Sequence, residues 1–175
     1  SQLEEKLSDA AGLAREDELT GCLNRRGFDE AFEREAKRVR ADRPLCMALA
    51  DLDDFRRLNA IHGHLGGDAA LRHFADIARL TLRDSDVVGR FGGEEFVLVI
   101  PAGSDAALEA VAERLRTAVS TRVAGPAGPV TVSVGGALHS GERDWQDWFA
   151  RADASLYLAK RAGRDRVHVA EALIV

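Results

Sequence analysis

Acidic side chains occur at two places where a short apolar run meets polar residues. Asp51 follows the apolar run 44–50, and Glu94 and Glu95 directly precede the apolar run 96–100. Both runs have the length and composition of buried strands, and strand ends of one small sheet lie close together. Carboxylates without His or Cys suit Mg²⁺ or Mn²⁺ better than Zn²⁺. The pattern is typical of metal-assisted phosphoryl or nucleotidyl transfer, although a solvated acidic turn would have the same composition.

Two adjacent glycines precede the second acidic pair. Gly92 and Gly93 stand between Phe91 and Glu94 in the stretch RFGGEEF. Glycine has no side chain beyond Cα, so the backbone here can turn sharply. The stretch therefore predicts the tip of a β-hairpin that carries two negative charges.

Composition limits the class of protein. The chain has 175 residues and a net charge of −5, which suits one domain with a short appendage and argues against a general nucleic-acid binder. The two cysteines form neither a disulfide framework nor a zinc cluster. No apolar stretch approaches the roughly 18 residues of a membrane span, and we expect a cytoplasmic protein without membrane contact. Because it begins with Ser, we expect the chain to belong to a longer protein.

Hydrophobic periodicity predicts alternating helices and strands. Strands are expected over 44–50, 86–91, 96–100, 130–138 and 166–169. Helices are expected from Asn24, over 55–66 with a break at Gly63, Gly66 and Gly67, from Asp68, over 105–120 and over 145–161. The fold class is therefore α/β, an α+β sandwich with a mostly antiparallel five-stranded sheet flanked by helices.

The first residues have a separate pattern. Leu3, Leu7, Ala10 and Ala14 follow a heptad spacing over little more than two repeats. This predicts either a single amphipathic lead-in helix or the end of a dimerising coiled coil. We place the domain boundary between a signalling helix, 1–16, and the main domain, 17–175.

Five stretches in order resemble the motifs of GGDEF-domain diguanylate cyclases, with GGEEF in place of GGDEF. They are DELTGCLNRRGF (17–28), DLDDFRRLNAIHGHLGGDAAL (51–71), RFGGEEF (90–96), TVSVGGA (131–137) and ADASLYLAKRAGRDRV (152–167). Enzymes of this family join two GTP molecules into cyclic di-GMP, a bacterial second messenger, and release two pyrophosphates. The resemblance implies a nucleotidyl-cyclase-like fold and this activity.

The resemblance also implies roles for the acidic residues. Asp51, Glu94 and Glu95, with the backbone carbonyl of Leu52, would bind Mg²⁺, and Mn²⁺ is a possible substitute. Glu94 would also act as the base that deprotonates the ribose 3′-hydroxyl.

Further residues would bind GTP. Asn59 and Asp68 would recognise the guanine edge, because a carboxylate accepts the paired N–H donors that guanine presents and adenine lacks. Asp68 could equally be a helix N-cap. The remaining substrate-binding residues implied are Phe55, Gly92, Gly93, Lys160, Arg164 and Arg56, the last at a position where the family usually has Lys.

A final pair of residues suggests regulation. Arg83 and Asp86 form an R-x-x-D pattern upstream of the hairpin, which resembles the site where the family binds cyclic di-GMP and is inhibited by it. The resemblance further implies a homodimer in which two GTP-loaded domains face each other, under the control of an upstream sensor. Two alternatives remain: a catalytically silent cyclic di-GMP receptor, and a related transferase that uses ATP.

Overall fold

A five-stranded sheet with helices on both faces forms the core of the computed structural model, which describes residues 1–4, 6–7, 14–39, 44–122, 124–125, 128–139 and 144–171. The strands are β1 (Leu45–Leu52), β2 (Val87–Gly92), β3 (Glu95–Pro101), β4 (Ala124–Gly125), β5 (Gly128–Pro129), β6 (Val132–Leu138) and β7 (Val167–Val169). The helices are α1 (Arg25–Ala36), α2 (Phe55–Thr81), α3 (Asp105–Arg122) and α4 (Trp145–Arg161).

The strand order of the large sheet is β2-β3-β1-β6-β7. All neighbouring pairs are antiparallel except β6 and β7, which are parallel. The predicted mostly antiparallel five-stranded sheet is therefore confirmed. The two-residue strands β4 and β5 form a separate small ribbon that the sequence did not predict.

Strand β1 lies at the centre and is buried along its whole length. Its side chains alternate between two apolar clusters. Cys46, Ala48 and Ala50 face α2 and α3, whereas Leu45 and Met47 face α1 and α4. Burial on both faces explains why this strand reads as a continuous apolar run rather than as an alternating one.

Helix α4 packs unusually close to β6. An added Cβ at Gly135 would lie 2.0 Å from the backbone nitrogen of Leu156. Only a glycine in β6 therefore allows the helix to reach this depth. This contact fixes the height of α4 above the sheet, and with it the position of Lys160 near the end of the helix.

The prediction of a helix break between Gly63 and Asp68 was partly wrong. Only Gly63 has non-helical dihedral angles, with φ 71° and ψ 178°, and α2 resumes directly after it. Gly66 and Gly67 are helical and buried, because the absence of a side chain lets the first part of the helix pack closely against them. Asp68 consequently lies inside a helix and is not its N-cap.

Of the predicted lead-in helix 1–16, the structure describes residues 1–4, 6–7 and 14–16. Residues 14–16 are not helical, and Glu16 forms an isolated antiparallel bridge with Leu23, so the helix does not extend to residue 16. Residues 2–4 and 6–7 are helical, and Leu3 and Leu7 are 68% and 61% exposed. Ala10 of the predicted heptad lies outside the described residues. Across the described part of the chain, no helix combines the length and the apolar character that a bilayer span requires.

Candidate active site

Strand pairing brings the two acidic segments together. Asp51 is opposite Glu95 in the β1–β3 pair, and the N–H of Leu52 donates to the backbone carbonyl of Glu94 at 3.3 Å. Residues directly opposite on antiparallel strands share one face, with Cα atoms about 4.5–5.5 Å apart. The end of β1 and the hairpin tip thus meet, as expected from the sequence.

A cavity of about 580 Å³ opens at this corner of the sheet. Its lining contains part of the predicted set: Asp51, Leu52, Phe55, Arg56, Glu94, Lys160 and Arg164. It also contains residues to which the sequence assigned no role: Asp53, Asp54, Arg57 and Ala60. The other predicted active-site residues do not line it: Glu95, Asn59, Asp68, Gly92 and Gly93. Carboxylates and cationic side chains therefore face one space, which suits a polyanion bound with a counter-cation.

Lys160, in the last turn of α4, is paired with the acidic group. Its Nζ donates to Oδ2 of Asp51 at 2.7 Å. Burial raises the pKa of Asp51; Lys160 opposes this shift and the nearby Glu94 adds to it. Burial likewise raises the pKa of Glu95. Because both shifts reflect negative charge confined away from water, positive charge in this corner is stabilising.

Arg164 lies in the turn after α4. Its Nε is 3.8 Å from Oδ1 of Asp54, and both side chains are more than half exposed. Such exposed pairs contribute little to stability. The guanidinium of Arg164 can therefore exchange this partner for a phosphate at small energetic cost.

The acidic groups fit a hard divalent cation that is bound together with a phosphate ligand. In the ranges that the structure describes, no three or more His, Cys, Asp or Glu side chains form a preassembled cation site. Mg²⁺ is commonly held by one or two carboxylates and completes its coordination with water and substrate phosphates. Asp51 and Glu94, both in the cavity wall, supply such a pair.

The hairpin tip requires glycine for its backbone conformation. Gly92 has φ 119° and Gly93 has φ 55°, and an added Cβ at either position would have no atom within 4 Å. Within the domain, the need for glycine here comes from these dihedral angles and not from crowding.

A network that the sequence analysis missed holds the hairpin tip. Arg90 donates from Nε to the carbonyl of Gly93 at 3.0 Å, and from Nη1 to both carboxylate oxygens of Asp17 at 3.1 Å. Asp17 also accepts from the N–H and the hydroxyl of Thr20, at 3.0 and 2.7 Å. Burial by itself would raise the pKa of Asp17, but these hydrogen bonds outweigh burial and lower the pKa. Both residues stand within the motif stretches of the sequence: Asp17 begins DELT, and Arg90 directly precedes FGG.

The predicted guanine-binding residues lie on either side of the kink in α2. Oδ1 of Asn59 is buried without a hydrogen-bond partner, and it would lie 1.9 Å from a Cβ added to Gly67. Asp68 follows Gly67 and is half-buried. Phe55, which lines the cavity, also packs near Gly67. Asn59 therefore packs against Gly67, the residue before Asp68, and neither Asn59 nor Asp68 lines the cavity.

The predicted inhibitory residues are in a second cavity of about 410 Å³. The N–H of Arg83 donates to Oδ2 of Asp86 at 2.8 Å, while Oδ1 of Asp86 is buried without a partner. Burial raises the pKa of Asp86. Arg34 and Arg79, which the sequence analysis did not select, also line this cavity. Its lining thus contains three guanidinium groups and two carboxylates, those of Asp84 and Asp86.

Comparison with known proteins places the chain in a family. Residues 14–166 match the family model described as "Diguanylate cyclase, GGDEF domain". Among curated relatives, the diguanylate cyclase DgcP of Pseudomonas aeruginosa is 42% identical over 168 residues, which cover 94% of this chain and 25% of that protein. The chain thus spans about a quarter of the length of this relative.

Solved structures show the same fold. The GGDEF domain of DgcB from Caulobacter crescentus, in complex with c-di-GMP, superposes with a TM-score of 0.81 at 32% identity, covering 89% of this chain and 95% of that one. The active GGEEF domain of a diguanylate cyclase from Vibrio cholerae gives a TM-score of 0.75 at 32% identity, covering 86% and 97%. The family match, the sheet topology and the position of the GGEEF hairpin agree, and the chain belongs to the GGDEF domain family of diguanylate cyclases.

Proposed function

We propose that this chain is a diguanylate cyclase domain, which condenses two GTP molecules into cyclic di-GMP and releases two pyrophosphates. The observation that carries the proposal is the cavity in which Asp51 and Glu94 face Lys160 and Arg164. Membership of a family whose curated relatives are named diguanylate cyclases supports this choice of reaction.

Diguanylate cyclases generally depend on a divalent metal ion, and we propose Mg²⁺, with Mn²⁺ as a substitute. Asp51 and Glu94 would hold it, assisted by Glu95 and by the backbone carbonyl of Leu52. When bound, the ion supplies positive charge at the triphosphate and lowers the pKa of the attacking hydroxyl. The raised pKa values of Asp51 and Glu95, caused mainly by burial, support a cation at this place.

The side chains of the cavity would assist an in-line displacement. The 3′-oxygen of one GTP bonds to the α-phosphorus of the other, the bond from that phosphorus to the β-phosphate bridging oxygen breaks, and pyrophosphate leaves. A carboxylate oxygen of Glu94 accepts the hydroxyl proton. Lys160 and Arg164 offset the negative charge of the triphosphate. The same step with the two nucleotides exchanged closes the ring.

Asn59 and Asp68 would select guanine. A carboxylate accepts from the adjacent N1–H and N2–H₂ donors of guanine, whereas adenine would leave it unpaired. The unpartnered Oδ1 of Asn59 supports a ligand donor at this place. Failure of excess ATP to compete with GTP would exclude the ATP-using alternative.

The reaction requires two copies of the domain. One active-site cavity holds one GTP, so a second domain related by a two-fold axis must present the other nucleotide. We propose that residues 1–16 bring two copies together as the end of a coiled coil under the control of an upstream sensor. The exposed Leu3 and Leu7 support this role. A truncated chain that begins at Arg15 should form product more slowly than the full chain, and an equal rate would refute this role.

The test of the proposed reaction is product analysis. The protein is first treated with a cyclic di-GMP phosphodiesterase, so that carried-over product does not inhibit it, and is then incubated with GTP and Mg²⁺. Cyclic di-GMP should form, and Glu94→Ala should lower its rate by about 100-fold or more, the usual effect of losing an acid–base group. Glu109→Gln, an exposed carboxylate on α3, is the matched control and should retain activity.

A second candidate, a catalytically silent receptor for cyclic di-GMP, is favoured by the cavity that Arg83 and Asp86 line. Under the cyclase proposal, bound product at this cavity inhibits turnover, and Arg83→Ala should raise the concentration of cyclic di-GMP needed for inhibition. Under the receptor hypothesis, ligand-free dimeric protein binds cyclic di-GMP through Arg83 but forms no cyclic di-GMP from GTP. That second result would refute the cyclase proposal.

A further inference from the structure

Asp53, the first residue after β1, is buried, and both oxygens of its carboxylate accept hydrogen bonds within the protein. Oδ1 accepts from the hydroxyl of Ser133 at 2.6 Å. Oδ2 accepts from the hydroxyl of Thr131 at 2.7 Å and from the backbone N–H of Asp165 at 2.9 Å. The N–H of Asp53 itself donates to the carbonyl of Thr131 at 2.9 Å. These bonds distinguish Asp53 from Asp51, whose carboxylate faces the cations of the cavity.

The bond from Asp165 holds an unusual turn. Arg164 and Asp165 follow one another with φ 63° and φ 45°. Residues other than glycine rarely adopt this left-handed region, so the surroundings must stabilise the turn. A buried carboxylate that accepts the Asp165 N–H provides such stabilisation, and the bond from Arg116 Nη1 to Oδ1 of Asp165 at 2.7 Å adds to it.

Asp53 therefore joins three pieces of the cavity wall. It lies two residues after Asp51, it is bonded to the start of β6, and it fixes the turn that presents Arg164. Lys160, one turn earlier at the end of α4, reaches Asp51 from the same side. The distance between the acidic corner and the two cationic side chains consequently depends on the bonds that Asp53 makes.

We propose that Asp53 is a positioning residue, which sets the separation between the acidic corner of the cavity and the cations that bind the triphosphate. The inference rests on the proposed GTP chemistry. Although Asp53 lines the cavity, its carboxylate is bonded to the protein, and it acts through Arg164 and Lys160. The structural observation behind this assignment is a buried carboxylate whose two oxygens both accept hydrogen bonds from the protein.

Two variants at this position separate the carboxylate's bonds. Asp53→Ala removes all three bonds to the side chain and frees the turn, while the backbone bond to Thr131 remains. Asp53→Asn keeps an acceptor for the N–H of Asp165 and can donate to the hydroxyl of Ser133, so it should restore much of the geometry. Thr131→Val is the matched control, because it removes a bond to the same oxygen but leaves the link to the turn intact.

Binding is measured by calorimetry with Mg²⁺ and 3′-deoxy-GTP, which lacks the attacking hydroxyl and cannot be turned over. Asp53→Ala should bind at least about 10-fold more weakly, which corresponds to about 1.4 kcal/mol. Asp53→Asn should fall between it and the wild type, and Thr131→Val should remain close to the wild type. Equal weakening in Asp53→Ala and Thr131→Val would overturn the proposal, since a general loss of stability would then explain both.

Amide hydrogen exchange of residues 162–166 measures the stability of the turn without any ligand. Asp53→Ala should lose protection in this turn, Thr131→Val should not, and unchanged protection in Asp53→Ala would refute the proposal. If the wild type neither binds the analogue nor forms cyclic di-GMP, the proposed function fails instead. The exchange result then decides by itself whether Asp53 holds the turn.

Discussion

Substituting Gly67 by Ala should weaken GTP binding without unfolding the domain. An added Cβ would lie 1.9 Å from Oδ1 of Asn59, whereas non-bonded heavy atoms prefer about 3.5 Å. The amide oxygen must therefore retreat by roughly 1.5 Å, which would stretch a normal hydrogen bond beyond its limit of about 3.5 Å. The contact of the new Cβ with Cζ of Phe55, at 3.1 Å, requires only a small shift of the ring.

The two expected free-energy changes have opposite signs. Replacing a helical glycine by alanine stabilises a helix by about 1 kcal/mol, which offsets part of the strain of moving Asn59. A guanine group left without its partner costs about 1–3 kcal/mol, so GTP should bind about 5- to 150-fold more weakly. The domain should keep its melting temperature within a few degrees.

Calorimetry with Mg²⁺ and 3′-deoxy-GTP, which cannot be turned over, and thermal unfolding together test this reasoning. In an Asn59→Ala background the clash is absent, so the same change at Gly67 should leave binding unaltered and raise stability. Gly103→Ala is the control, since its Cβ would meet no atom within 4 Å. Wild-type affinity in the single variant, or additive effects in the double variant, would show that Asn59 does not bind the base.

Three further predictions concern stability and thiol reactivity. Gly135→Ala should lower the free energy of unfolding by about 3 kcal/mol or more, because the new Cβ meets the backbone of Leu156; an unchanged urea midpoint would contradict this. Asp17→Asn should lower it by about 1–2 kcal/mol at neutral pH through the lost bonds to Arg90. Folding lowers the pKa of Asp17. The stabilisation that Asp17 provides is therefore complete at pH values above the normal carboxyl pKa, and it is lost as the pH falls through the lowered pKa. The free energies of unfolding of the wild type and Asp17→Asn, measured by urea titration, should consequently converge in acid. Burial raises the pKa of the Cys46 thiol to about 12, so iodoacetamide should modify Cys46 only after unfolding. Rapid modification of Cys46 in the native protein, detected by mass spectrometry, would contradict this prediction.

The five strands of the large sheet were predictable from the sequence because their pattern is local, whereas the short strands β4 and β5 were not. The apolar run before Asp51 and the glycines before Glu94 each indicate an element and its end, and pairing of adjacent strands brings them together. The continuation of α2 through Gly67 was not predictable in this way. Glycine has low helix propensity, and only the packing of Asn59 and Phe55 against the bare backbone shows why it is helical here.

The site residues divide in the same manner. Asp51 and Glu94, which line the cavity, were selected from their residue type, their spacing and the family resemblance. Asp53 acts through a hydrogen bond to Asp165, which is distant in the sequence. Arg90 acts through a hydrogen bond to Gly93 in the hairpin turn. The residues themselves are visible in the sequence, but their pairing is fixed by tertiary packing, and no spacing rule in a single sequence identifies it.

The contacts of residues 14–24 bear on how an upstream signal could reach the active site. The side-chain amide of Asn24 donates to the carbonyl of Ala14 at 3.0 Å, and Asp17 binds Arg90, which also holds Gly93 at the hairpin tip. The end of the lead-in segment is thus fastened to the domain beside the GGEEF hairpin. A rotation of the segment should therefore turn the domain as one body and leave the cavity intact. Regulation by orientation of two domains follows more naturally from these bonds than regulation by distortion of either active site.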